Sequence, residues 1–194
     1  MNPNAREIDP EQAATEAIER GDLRRAVTIL MAAYGDQIYR HCVFMLGDAG
    51  RAQDIQQKVF VQAWRDLGRF SGRSSLRTWL FAIARNRCRD DLKGWRRFLR
   101  RFELDGESPE RAGSAPSAEQ RLATEALKAP LAECLQRLAP AVRSVVLLRF
   151  QNEMSFVDIA ESTAQKANTV QVQVARAMPV LRKCLEARGI AEAA

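Results

Sequence analysis

The sequence predicts an all-α protein built as two small helical domains joined by a flexible linker. Three observations predict it. Apolar residues recur at three- and four-residue steps through several separate stretches, the period of an amphipathic helix. Residues 102–121 then change character abruptly, with Gly106, Gly113, Pro109 and Pro116 and five acids against two bases, the composition of a tether. Beyond them a capped short helix, a tight turn and a longer helix follow in the order of a helix-turn-helix. With 194 residues, 46% of them apolar, the chain can bury real cores as one domain or as two.

Residues 1–20 are polar and read as an N-terminal extension that frays, with a short helix from Glu11 to Arg20 and no legible chemistry. The first domain, 21–101, opens with Leu23, Ala26, Val27, Leu30, Met31, Tyr34, Ile38 and Val43 at helical spacing, and a break is expected near Gly35. A turn at Gly47 and Gly50 leads to a helix over 52–67 that buries Ile55, Val59, Phe60, Ala63, Trp64 and Leu67. Its outer stripe carries Asp54, Lys58 and Arg65. Asp54 and Lys58 form an i, i+4 pair worth about 0.2–0.5 kcal/mol to an isolated helix.

Residues 69–101 are the electrostatic centre of the chain. Eleven of these thirty-three residues are Lys or Arg against Asp90 and Asp91, so the stretch carries +9 while the whole chain carries +6. Leu76, Trp79, Leu80 and Ile83 share one helical face; Thr78, Ala82, Arg85, Arg89 and Lys93 descend another. Ser74 or Ser75 can cap the helix start. A basic helix preceded by a polar, aromatic-edged loop suits single-stranded nucleic acid, because cations neutralise phosphates and Phe70 can stack on an unpaired base. The plainer reading is a solvated basic face, and for Trp79 a core position is an equal alternative.

The second domain spans 122–188, with a tail at 189–194. Leu127, Leu131, Leu135 and Leu138 form a stripe in which Pro130 either kinks the helix or marks its true start. Pro140 suits the first position of the next helix, and Ser155 with Asp158 reads as a capping box. After a turn near Ala164 the last helix buries Val170, Val174, Ala177, Leu181 and Leu185, and its unbroken register favours a bend over an end at Pro179. Asn168, Thr169, Val172 and Arg176 face outward with Gln171 and Gln173 beside them, side chains that can meet adenine edges and thymine methyls in a major groove.

Other chemistry is poorly supplied. Cys42, Cys88, Cys134 and Cys184 lie far apart with no C-x-x-C pair, which indicates reduced, mostly buried thiols rather than a disulfide framework or a zinc knuckle. His41 is the sole histidine, so a His-based catalytic or metal site is not expected even with Cys42 beside it. No run of eighteen apolar residues and no apolar leader is present, and a cytoplasmic protein without cofactor, enzymatic activity or membrane contact is expected.

The spelling of the chain adds a family. The phrases F-x-G-R-S-S at 70–75, R-T-W-L at 77–80 and I-A-R-N at 83–86, preceded by QQKVFVQAWRDL at 56–67, resemble region 2 of the extracytoplasmic-function (ECF) sigma factors of bacterial RNA polymerase. LAPAVRSVVLLRF at 138–150, MSFVDIAE at 154–161 and NTVQVQVARAMPVLRK at 168–183 resemble sigma region 4, so the likeness runs over residues 21–188. It implies binding to core polymerase through the clamp coiled coil and the flap, and to promoter DNA that is partly single-stranded. It places Arg69, Phe70, Arg73, Ser74, Ser75, Arg77, Trp79, Arg85, Asn86 and Arg89 at the minus-ten element, and Asn168, Thr169, Gln171, Val172, Gln173 and Arg176 at the minus-thirty-five element. Arg51, Asp54, Gln57, Lys58, Val61 and Arg65 would dock on polymerase.

Two departures stand out. The family's acidic D-A-E-D helix start with a further acid four residues on reads here Arg51, Ala52, Gln53, Asp54 and Lys58. A close charge pair near a surface is worth about 4 kcal/mol at an effective dielectric of 20, so these sign changes can abolish or redirect a dock. In region 4, Ala164, Gln171, Gln173 and Met178 stand where Gly, Lys or Arg are usual. These departures keep open a sigma-like interaction protein or decoy that binds polymerase or an anti-sigma factor without opening promoters. They also admit an acidic accessory protein that bridges two basic surfaces.

Overall fold

The computed structural model describes residues 9–105 and 125–190. It contains α1 (Pro10–Glu19), α2 (Leu23–Leu46), α3 (Ala49–Asp66), a short 3-10 turn (Leu67–Arg69), α4 (Leu76–Asp105), α5 (Glu125–Gln136), α6 (Pro140–Phe150), α7 (Phe156–Thr163) and α8 (Ala167–Glu186), with no strand among the described residues. Side chains fix the helix starts. Asp9, Asp22 and Asp48 accept from the backbone N–H groups of Glu11, Arg25 and Arg51, and Ser155 and Asp158 form a reciprocal capping box. Pro140 occupies the first turn of α6, where its missing N–H costs nothing.

In the first domain α2, α3 and α4 pack around Leu30, Ile38, Val59, Phe60, Leu80 and Phe81. Three expectations are corrected. First, α2 runs unbroken through Gly35, because Tyr34 and Ile38 are buried on either side and the Gln56 amide donates to the Gly35 carbonyl at 2.9 Å; tertiary packing outweighs the glycine's poor propensity. Second, α1 is no frayed extension. It buries Ala14 and Ala17, and its Glu11 carboxylate accepts both from the Tyr34 hydroxyl at 3.2 Å and from the Arg77 backbone N–H at 3.1 Å. Burial, then the Glu11 charge, pushes the Tyr34 hydroxyl up to about 12, which keeps it a donor. Third, α4 continues to Asp105, past the expected linker start at 102. Residues 106–121 of that linker lie outside the described residues, as do 1–8 and the tail from 191.

In the second domain α5 to α8 enclose Leu135, Val145, Leu148, Ile159, Val170, Val174 and Leu181. Helix α5 starts before Pro130 and contains it, and α8 runs on through Pro179. Ala164 takes the left-handed conformation at φ 53°, the turn that glycine would fill more easily. Cys134 and Cys184 form a disulfide between α5 and α8, which corrects the expectation of four reduced thiols. The sequence could not reveal it, because fifty positions separate the two cysteines and only the packing of α5 on α8 brings them together.

The two domains also pack on each other, and one apolar core runs through both. Helix α2 ends against α5 and α6: Gln136 donates to the Phe44 carbonyl at 2.9 Å and Arg143 to the Met45 carbonyl at 2.6 Å. Arg143 is buried, and burial with Arg96 nearby lowers it to about 10, so it remains charged and uses that charge on carbonyls. At the other end of the seam the α6–α7 turn offers Asn152, whose amide meets His41 Nδ1 at 3.3 Å and whose carbonyl accepts from Arg77.

Candidate nucleic-acid interface

The first surface begins where α3 gives way to α4. Phe70 leaves the 3-10 turn in extended backbone, Gly72 at φ 68° lets the chain double back, and Ser75 caps α4 by accepting from the Thr78 N–H at 3.0 Å. The cap is thus Ser75 rather than Ser74. The loop is short and pinned at both ends. Phe70 packs its ring on Trp79, centroids 5.4 Å apart, so the two aromatics form one half-buried ledge. Arg69 and Arg73 are exposed beside it, Arg73 held near the loop by its bond to the Ser71 hydroxyl at 3.1 Å. An unpaired base needs an aromatic ring face and a nearby cation, and Phe70 and Trp79, tilted 58° to each other, offer ring faces beside Arg69 and Arg73.

Along α4 the basic face divides. Arg89 is exposed, Arg85 is half-buried with its guanidinium on the Asn86 side-chain oxygen at 3.1 Å, and Arg87 instead turns to Gln62 of α3 at 2.8 Å. Burial, with Arg89 close by, lowers the Arg85 pKa, so a phosphate there would relieve a standing cost. Thr78 is buried, a correction to its place on the basic face. Arg77 points into the molecule: it donates to Gln37 and the Asn152 carbonyl and covers the Phe81 ring at 5.7 Å. In this closed form it is occupied by the second domain.

The second surface is the first half of α8. Asn168, Thr169, Gln171, Val172 and Arg176 are exposed together, and Gln173 is half-buried with its amide on Gln165 at 2.9 Å. Tight spacing between α7 and α8 follows from Ala164, and the result is a helix-turn-helix with its longer helix facing out.

The third surface is the outer face of α3, where Asp54, Lys58 and Arg65 are exposed as expected, with Gln57 and Val61 exposed beside them. Trp64, expected inside, is 55% exposed and joins Val61 on that face, since three residues separate them on one helix. Arg51 is not on it. Its guanidinium pairs with Asp91 of α4 and lies over the Trp95 ring at 5.0 Å, so its charge is answered within the chain. Among the described residues no group of three or more His, Cys, Asp or Glu could hold a metal ion, and no helix is long and apolar enough to cross a membrane.

An all-helical chain with a basic, aromatic-edged loop in one domain and a helix-turn-helix in the other defines a two-domain DNA-binding protein of transcription. Sigma-70 region 2 matches residues 30–101, and Sigma-70, region 4 matches residues 128–178. The chain belongs to the extracytoplasmic-function group of the sigma-70 family, whose members are initiation factors for RNA polymerase rather than catalytic enzymes. It is 29% identical over 184 residues to the RNA polymerase sigma-H factor of Pseudomonas aeruginosa, covering 92% of this chain and 95% of that one. It is 27% identical over 177 residues to the ECF RNA polymerase sigma factor SigW of Bacillus subtilis, covering 87% and 92%. Its fold matches that of CnrH in complex with the cytosolic domain of CnrY, with a TM-score of 0.68 at 24% identity over 92% of this chain and 99% of that one. It also matches the sigma factor RpoE in complex with the anti-sigma factor NepR from Bartonella quintana, with a TM-score of 0.66 at 21% identity over 85% and 97%.

Proposed function

We propose that this sigma factor docks on core RNA polymerase through the α3 face, captures an unpaired minus-ten base on the Phe70–Trp79 ledge, and reads the minus-thirty-five duplex with α8. The observation that carries this reading is the ledge itself: two packed aromatics flanked by exposed Arg69 and Arg73 on a loop pinned by the Ser75 cap. Arg85, Asn86 and Arg89 continue from it down α4 and supply phosphate contacts for the melted strand, while Ser74 and Ser75 line the loop. Asn168, Thr169, Gln171, Val172, Gln173 and Arg176 read base edges, with few cations to anchor the backbone, so duplex binding is weak alone and shallow in its salt slope. The division into 21–101 and 122–188 as promoter-melting and duplex-reading units, and a cytoplasmic location, belong to the same reading. So does an anti-sigma factor as partner, of the kind seen with the structurally similar RpoE.

One observation favours the alternative of a sigma-like decoy: Arg77, which the family resemblance places at the minus-ten element, is held by the second domain. Transcription by purified core polymerase on a genomic promoter library separates the two. An initiator yields defined start sites, and Arg69, Phe70 and Arg73 replaced together by Ala lower open-complex formation at least tenfold. A decoy yields none, and unchanged open complexes in the triple variant would remove the ledge from the mechanism.

A further inference from the structure

The four cysteines, scattered in sequence, meet as two buried pairs in space, and only the second has a guanidinium against its sulfur. Cys42 of α2 and Cys88 of α4 lie in the core of the first domain with sulfurs 3.6 Å apart. The hydrogen bond to Cys42, then burial, pushes the Cys88 thiol well up, and Asp91 adds to the effect. That pair is chemically quiet, since the thiol rather than the thiolate is favoured. Cys134 and Cys184 are buried too, and are joined where α5 packs on α8. There Arg188, one helical turn beyond Cys184, sets its guanidinium 3.0 Å from the Cys184 sulfur. Glu133, the neighbour of Cys134, fixes the same guanidinium at 2.8 Å. A cation held over a sulfur stabilises its thiolate, the nucleophilic form. The ion pair also bridges α5 to α8 whether or not the sulfurs are bonded, so reduction leaves the two thiols close.

We propose that Cys134 and Cys184 are a redox-responsive thiol pair, oxidised by a hydroperoxide and reduced by a dithiol, that locks α5 to α8 and stiffens the helix-turn-helix domain. The Cys184 thiolate attacks the peroxide oxygen, forming a sulfenic acid and releasing hydroxide, which takes up a proton to give water. The Cys134 sulfur then attacks the sulfenic sulfur, the S–O bond breaks, and a second water leaves with the Cys134 proton. Two thiols and one hydrogen peroxide become one disulfide and two waters. A dithiol reverses this by thiol–disulfide exchange, with its own sulfurs oxidised to a disulfide. The bond closes a loop that contains α6, α7 and the reading half of α8, while Gln136, two residues from Cys134, holds the second domain to α2. Oxidation therefore acts on the reading helix and on its seat against the first domain.

The test uses the full chain, reduced with dithiothreitol, titrated with hydrogen peroxide, alkylated and digested for mass spectrometry, with thermal unfolding followed in parallel. The expected result is a Cys134–Cys184 cross-link at near-stoichiometric peroxide, with Cys42 and Cys88 alkylated only after unfolding. Arg188→Gln slows the cross-link roughly tenfold, and oxidation raises the Tm by roughly 10 °C, a rise that Cys134→Ser abolishes. If Cys134→Ser does not fold, the wild-type difference between oxidised and reduced Tm decides alone. Alkylation of both Cys134 and Cys184 after peroxide, a cross-link at Cys42–Cys88 instead, an unaltered rate in Arg188→Gln, or equal Tm values would overturn the proposal. A chain that oxidises as described but initiates at no promoter would overturn the sigma-factor mechanism and leave the thiol pair standing.

Discussion

His41 couples the interior to mild acid. It is fully buried at the domain seam, edge-on to Phe81 and bonded to Asn152, and burial lowers its pKa to about 4. The unfolded chain, with an ordinary histidine near 6.5, takes up the proton first, so the contribution is fully present above about pH 6.5 and is lost as pH falls towards 4. At pH 5 the expected loss is about 2 kcal/mol. Urea unfolding at pH 7.5 and pH 5 should show this drop in the wild type beyond whatever drop remains in His41→Leu; an equal drop in both would remove His41 from the acid response. Arg51 carries a second expectation. Because it pairs with Asp91 and stacks on Trp95, Arg51→Ala should cost about 1–2 kcal/mol of stability, with Arg51→Lys restoring only part, since an ammonium cannot reproduce the planar contact. From the sequence Arg51 reads as a cation facing the polymerase, because its partner stands forty positions away. No helical period announces such a pair.

At the scale of elements, what the sequence made legible were the features written in local chemistry: the Ser155 and Asp158 box, Pro140 at a helix start, and the register that carries α8 through Pro179. What it hid depended on neighbours. Trp64 reads as core by hydrophobicity yet faces outward, and Gly35 reads as a break yet lies in the middle of a packed helix. The α3 face is consequently cleaner than the sequence implied, with Lys58 the exposed departure in charge and Arg51 withdrawn. Lys58→Glu alone should tighten binding to core polymerase several-fold if a basic surface receives this face; titration of labelled protein reads it, and weaker binding would mean the dock is apolar, through Val61 and Trp64. In the helix-turn-helix, Ala164 is held left-handed at a cost that glycine avoids. Ala164→Gly should stabilise the second domain by about 0.5–1 kcal/mol, read as a higher Tm, and an unchanged or lower Tm would show that the Cβ packs favourably in the turn.

For the whole molecule the decisive fact is the seam. Elements centred about 25 base pairs apart are separated by roughly 85 Å of duplex, whereas a compact chain of this length has a radius of gyration of about 16 Å. One closed body cannot occupy both. If the two domains read the two elements as proposed, the second must leave the first, and the bonds that would break are Gln136 to Phe44, Arg143 to Met45, Asn152 to His41 and Arg77 to Asn152. Under the proposed mechanism the last of these also frees Arg77 for the melted strand, which would make opening the seam and completing the minus-ten surface one event. The buried carbonyls left behind would lose their partners, at about 1–3 kcal/mol each until water or polymerase replaces them. If the closed form dominates in the free chain, the apparent affinity for core is lowered by the fraction that is open. Asn152→Ala removes the bond to His41 while keeping the carbonyl, and should shift the balance towards the open form by five-fold or more. Energy transfer between dyes on exposed positions of α3 and α8 measures it: the wild type should be compact alone and extended with core polymerase and promoter, and the variant already partly extended alone, with correspondingly tighter core binding. Equal transfer in the two free proteins would show that the Asn152–His41 contact does not hold the domains together.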